Sequence, residues 1–209
     1  MSSAQLAFNL VRDGLRAGVD EAGRGPLAGP VVASAVILDP RRRIRGIRDS
    51  KLIEPEERTE LAIKIRASAI AWSVAWADVE EIDNLNILQA TYLAMRRALL
   101  GLRVRPAHVQ VDGDRCPSFI GLSLECSFEA IVDGDARRIC IGAASILAKT
   151  TRDALMRRYE DEFPGYGFGE HKGYCTEAHR NAIRRLGPCA IHRRSFVLLP
   201  PPKLWSEPL

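Results

Sequence analysis

The chain has 209 residues, 46% hydrophobic and 27% charged, which is enough apolar material for one domain with a proper core and excludes a disordered composition. A formal net charge of +4 with pI near 8.9 is a mild basic bias, compatible with a polyanion partner but not sufficient to name one. No apolar run approaches membrane-spanning length, and Arg12 and Asp13 interrupt the N-terminal stretch before a signal-peptide core could develop.

The five cysteines, at 116, 126, 140, 175 and 189, form no CxxC pair and are odd in number. Neither a zinc site nor a full disulfide framework is indicated, and reduced thiols in a cytoplasm fit best.

In chain order, a short apolar approach ending at Val19 reads as a strand and leads into Gly18 to Pro30, GVDEAGRGPLAGP. Gly23, Gly25 and Gly29 leave the backbone bare enough for a ligand to touch it. Asp20 and Glu21 are neighbours, and neighbours on a regular strand point to opposite faces. Both can serve one site only if the strand bulges or ends there, unless Glu21 offers its carbonyl instead. Val31 to Leu38 is a continuous apolar run, expected to be a buried strand paired with the first. After Asp39-Pro40, an arginine-rich segment leads to Asp49-Ser50-Lys51, a polar turn before a helix opened by Pro55, whose amides with Ser50 and Lys51 could hold a phosphate.

Ala69 to Val79 reads as a strand whose Trp72 and Trp76, four apart, share a face and are expected in the core. From Glu81 to Leu100, Ile82, Leu85, Leu88, Tyr92, Met95 and Leu99 recur at helical spacing and predict one amphipathic helix ended by Gly101, with Asn84 and Asn86 in its first turns. His108 to Asp112 puts Asp112 at the carboxyl end of a strand, where α/β sheets carry their sites. The four letters VDGD recur at Val132 to Asp135 after a strand-like Phe128 to Val132. Gly142 to Tyr159 reads as a long helix with Ala143, Ile146, Leu147, Thr150 and Ala154 on one stripe, and Ser145, Lys149 and Asp153 as candidates for a substrate wall. His171-Lys172-Gly173-Tyr174 then precedes a basic helix from about Thr176 to Leu186.

Basic residues are concentrated. Arg41, Arg42, Arg43, Arg45, Arg48 and Lys51 form one group, and Lys172, Arg180, Arg184, Arg185, Arg193 and Arg194 another. Two such groups around an acidic centre suit a nucleic acid whose phosphates need screening.

The stretch from Gly18 to Pro30 closely resembles the opening signature of the type 2 ribonucleases H, the ribonuclease HII family, an Asp-Glu pair followed by Gly-Arg-Gly. The resemblance runs on through Asp49-Ser50-Lys51, Asp112, the Gly-Asp pair at Asp135 before Gly142-Ala143-Ala144-Ser145, and Tyr174, and covers nearly the whole chain through Phe196. It implies an α/β, ribonuclease H-like fold: a mixed central sheet of about five strands flanked by helices, with a small helical C-terminal portion. It further implies one catalytic domain over 1–196, its part from about 165 to 196 binding substrate, and a proline-rich tail over 197–209.

By the same resemblance Asp20, Glu21, Asp112 and Asp135 are the catalytic carboxylates, with Asp114 and Asp133 as neighbours rather than ligands. Four converging carboxylates repel unless cations lie between them, and hard oxygen ligands select Mg²⁺ or Mn²⁺. Gly23, Arg24 and Gly25 would read the 2′-hydroxyl, Ser50, Lys51, Ser145 and Lys149 would hold the substrate, and Tyr174 would stack on the sugar at the cleavage junction. The expected activity is endonucleolytic hydrolysis of RNA in RNA–DNA hybrids and at single ribonucleotides in duplex DNA, by a cytoplasmic monomer with no membrane association. The other readings are a related carboxylate DNA nuclease or strand transferase, and a non-catalytic hybrid-binding module.

Overall fold

The computed structural model describes residues 14–48, 50, 53–117 and 126–200. Lys51 lies outside the described residues, as do Asp49 and the tail from 201.

Strand β1 (Arg16–Ala22) pairs antiparallel with β2 (Val31–Ile37), in a register that runs unbroken from Ala17↔Ile37 to Ala22↔Val32. There is no bulge at Asp20-Glu21; the strand simply ends one residue later. Strand β3 (Ala71–Ala77) pairs antiparallel outside β2, while β4 (His108–Asp112) and β5 (Ser127–Ile131) add in parallel beyond β1. The order β3-β2-β1-β4-β5 is the mixed five-stranded sheet that was expected, with β1 in its middle. Every residue of β2 is buried, as befits a strand covered on both faces.

Helix α1 (Pro55–Ser68) starts on its proline. The single helix expected over 81–100 is instead two, α2 (Val79–Leu85) and α3 (Ile87–Leu100). Asn86 causes the break: it takes φ 71, and its side-chain oxygen accepts the amides of Leu88 and Gln89, so it ends one helix and caps the next. Leu85 and Leu88, read as core positions, are consequently exposed beside the break, while Ile82, Met95 and Leu99 are buried.

Trp72 and Trp76 do share a face, but they are 39% and 50% exposed rather than core residues. Their strand is the sheet edge, where helical cover thins out. Trp72 instead donates its indole N–H to the Arg66 carbonyl and lies under the Arg66 guanidinium, 5.4 Å from the ring centre.

Short helix α4 (Gly134–Arg137) leads into α5 (Ile139–Glu162), which begins and ends three residues beyond the predicted Gly142 to Tyr159. Its Gly-Ala-Ala-Ser segment lets it lie directly on the sheet: any side chain at Gly18 of β1 would strike the Cys140 carbonyl. Ala143, Ile146 and Leu147 are buried as expected, but Ala154 is exposed and Arg152, Asp153 and Met156 are buried. Helices α6 (Phe168–His171) and α7 (Glu177–Leu186, capped by Thr176) close the C-terminal portion over Ala28, Met156, Tyr166, Phe168, Ala182 and Ile191. Among the described residues no helix is long and apolar enough to cross a membrane.

Candidate active site

Because β1 and β4 run parallel and their register ends at Val19↔Val111, Asp20 and Asp112 stand side by side at the ends of adjacent strands. Asp20 is 4% exposed and faces α5, where Ser145 supports its charge by a hydrogen bond. Its carboxyl is nevertheless pushed well above the usual carboxylate range, first by burial and then by the charges of Glu21 and Asp112. The Glu21 amide donates to Asp20 Oδ1 at 2.7 Å, and the Gly134 amide donates to Asp112 Oδ1 at 2.7 Å, so both aspartates are oriented by backbone groups.

These three carboxylates line one cleft of about 400 Å³ together with Ala22, Gly23, Arg24, Gly25, Ser50, Ser145, Lys149, Arg58 and Tyr174. Ser50 and Ser145 share a hydrogen bond of 2.8 Å across the cleft wall. Lys149 and Arg58 both pair with Asp153, at 2.8 and 3.4 Å, so Asp153 supports the wall from behind. Arg24 lies 3.5 Å from Glu21. The cleft is thus acidic at the strand ends and cationic around them, suited to a phosphate held near cations.

Asp135 is carried by a separate element. It lies in the first turn of α4, accepts the Ala136 amide at 2.9 Å, and is not among the residues lining the cleft. Asp133, at φ 53, and Asp114, 3.6 Å from Arg115, are exposed. Among the described residues no three Asp, Glu, His or Cys side chains already close into a metal cage.

The glycine loop is held by groups whose role the sequence did not reveal. Gly23 has φ 100, and any side chain there would run into the Arg152 guanidinium. Arg152 donates to the carbonyls of Ala28, Pro30 and Lys172, each at 3.0 Å. Arg193, expected in an exposed phosphate-screening group, is instead fully buried and donates to the Gly23, Arg24 and Gly29 carbonyls at 2.5 to 2.9 Å. With the Gly23 and Arg24 carbonyls turned inward to Arg193, residues 23–25 form the near wall of the cleft. Burial lowers the Arg152 pKa to about 10 and that of Arg193 to about 9, and both remain cations at neutral pH. Tyr174 completes this wall: its ring edge would lie 3.9 Å from a side chain at Gly25.

A model of the ribonuclease HII family matches residues 17–199, which takes in every element described above but the first residue of β1. The chain belongs to the ribonuclease HII family. Ribonuclease HII of Thiobacillus denitrificans is 58% identical over 180 residues, 86% of each chain, and that of Bordetella pertussis is 53% identical over 192 residues, 92% of each. The fold is likewise similar to the ribonuclease H2 of Pyrococcus horikoshii, with a TM-score of 0.73 at 30% identity over 88% of this chain and 94% of the other. As a member of the family the chain is a ribonuclease, an endonuclease that hydrolyses RNA in RNA–DNA hybrids and at single ribonucleotides.

Proposed function

We propose that Asp20, Glu21 and Asp112 hold divalent cations, Mg²⁺ or Mn²⁺, with Asp135 completing the set from α4, and that this centre cuts the strand on the 5′ side of the phosphate, leaving 5′-phosphate and 3′-hydroxyl ends. The observation that carries the reading is one cleft lined by three carboxylates, the Gly23–Gly25 backbone and Tyr174. The donor set fits a hard cation: the proposed ligands are all carboxylate oxygens, and the Asp20 carboxyl, raised by burial and then by the charges of Glu21 and Asp112, is one whose charge a cation would stabilise. When bound, such ions activate a water and stabilise the leaving oxygen of an in-line attack on phosphorus.

The remaining work falls to the chain's own groups. Ser145 and the Glu21 amide orient Asp20 and favour its charged form against the cost of its burial, and the Gly134 amide orients Asp112. Lys149 and Arg58 place positive charge where the phosphates adjoining the cut would lie, with Ser50 and Lys51 as further backbone contacts. The 2′-hydroxyl is the group that tells RNA from DNA, and the bare backbone of Gly23, Arg24 and Gly25 can approach it. Tyr174 packs on the sugar beside it. The portion from about 165 to 196 carries this ring and serves as the substrate-binding part of the single domain.

The test is incubation with a DNA duplex containing one ribonucleotide, with and without Mg²⁺ and beside an all-DNA control. Metal-dependent cutting at the ribonucleotide alone, with a 5′-phosphate on the product, supports the reading. Cutting of the all-DNA duplex would favour a general carboxylate nuclease.

A further inference from the structure

Three of the four histidines pack behind Tyr174 and have no part in the chemistry above. His171 ends α6, His179 lies in α7, and His192 lies in the coil after it; the last two are fully buried. The rings form a column, His171 stacked on His179 with centroids 4.4 Å apart and His179 Nε2 lying 3.1 Å from His192 Nε2.

Their partners assign every tautomer. The Tyr174 carbonyl, 2.9 Å from His179 Nδ1, can only accept, so Nδ1 carries the proton and Nε2 is an acceptor. His192 Nε2 then donates to it, which leaves His192 Nδ1 to accept the Cys189 amide at 2.9 Å. His171 Nδ1 accepts the Gly173 amide at 3.1 Å, and its Nε2–H donates to the Tyr166 carbonyl at 2.7 Å. Each ring is neutral, with its proton and its lone pair both engaged.

Two of these bonds end on the backbone of one turn, at the Gly173 N–H and the Tyr174 carbonyl. That turn needs holding, because Lys172 and Gly173 take φ 53 and 79 in succession, and lysine lacks the freedom of glycine there. The Tyr174 ring is itself 44% exposed, so its direction comes from its backbone more than from packing around the ring.

We propose that His171 and His179 are positioning residues that set the Gly173–Tyr174 turn and so aim the Tyr174 ring at the Gly23–Gly25 loop. The inference rests on the reading of Tyr174 as the ring that packs on the substrate sugar. His171 supplies the acceptor for one side of the turn and His179 the donor for the other.

The test uses His171→Leu and His179→Leu, which remove those groups, and His171→Asn and His179→Asn, which restore an acceptor or a donor near the Nδ1 position. Single-turnover cleavage of a duplex with one ribonucleotide is measured in wild-type and Tyr174→Ala backgrounds. Each Leu variant should slow cleavage about tenfold, the factor that one lost hydrogen bond gives. The Asn variants should recover most of it, and neither Leu change should slow Tyr174→Ala further. Equal losses for Asn and Leu, or a full further loss in the Tyr174→Ala background, would overturn the inference. Imidazole ¹⁵N shifts of the wild-type protein test it without any variant: a proton elsewhere than His179 Nδ1, His171 Nε2 and His192 Nε2 overturns it too. If Tyr174→Ala cleaves like wild type, the sugar-packing reading fails by itself. Gly173 amide exchange then decides the positioning role, faster exchange in His171→Leu sustaining it and unchanged exchange refuting it.

Discussion

The amide of Gly134, at the start of α4, donates to Asp112 Oδ1 at 2.7 Å and so ties the end of β4 to the turn that follows β5. Asn at position 112 keeps an oxygen for that amide and loses only the charge. Asp112→Asn should therefore melt within a few degrees of wild type yet lose activity by at least about 100-fold, as the loss of a metal ligand implies. Near wild-type turnover at saturating Mg²⁺ would remove Asp112 from the metal centre, and the same assay on Asp135→Asn decides whether α4 contributes a ligand.

Asp20 differs because its charge is costly in the fold. A carboxyl whose folded pKa is raised binds its proton more tightly folded than unfolded, so the stability linked to it falls as pH rises through the carboxylate range. At neutral pH the metal-free Asp20→Asn protein should melt higher than wild type while cleaving nothing. Added Mg²⁺ should raise the wild-type melting temperature more than that of the variant. Calorimetry in EDTA and in Mg²⁺ checks both, and a variant that melts lower in EDTA contradicts the account.

The histidine column sets an acid limit. Burial lowers the pKa of His179, and burial together with His179 lowers that of His192 to about 4. The unfolded chain therefore binds protons that the folded one refuses between about pH 6.5 and 4, and stability should fall as pH drops through that window. The loss from His192 should be on the order of 3 kcal/mol, complete only below about pH 4. Denaturant titrations at pH 7, 5.5 and 4.5 measure it; a flat profile would mean the column accepts protons without cost.

Arg193 is predicted to be structural. Arg193→Lys cannot reproduce a planar fork that serves three carbonyls, and should cost about 3 kcal/mol or more by leaving buried oxygens without donors. A loss below about 1 kcal/mol in urea unfolding would show that the loop is held by other groups.

Arg184 and Arg185 are exposed on α7 and remain candidates for phosphate contact. Replacing both with Ala should reduce the slope of log affinity against log salt by about one unit per lost contact. An unchanged slope would mean that this helix faces away from the substrate.

Much of the site was legible because it is built locally. The end of β1 at Asp20-Glu21, the glycine loop and the strand end at Asp112 are written in consecutive residues, and the small residues before Ser145 announce a helix close to the sheet. What stayed hidden depends on distant neighbours. Arg193 was grouped with charges that screen phosphates, and Arg58 and Arg152 drew no reading at all, since nothing in the sequence around an arginine marks it as one whose donors are spent on backbone carbonyls inside the fold. Trp72 and Trp76 read as core because composition does not say which strand is the edge. The break at Asn86 was hidden by apolar spacing that continues across it, and its only local mark was an asparagine able to adopt φ 71.

The bond from Arg193 to the Gly23 carbonyl joins positions 170 residues apart. During synthesis the sheet and α5 leave the ribosome well before Arg193 does, and domains begin to fold from their N-terminal side. A half-made or prematurely ended chain therefore carries the acidic strand ends without the clamp that shapes the loop beside them. On the proposed reading of that loop, removing the segment that carries Arg193 should harm discrimination for ribonucleotides before it harms the carboxylates.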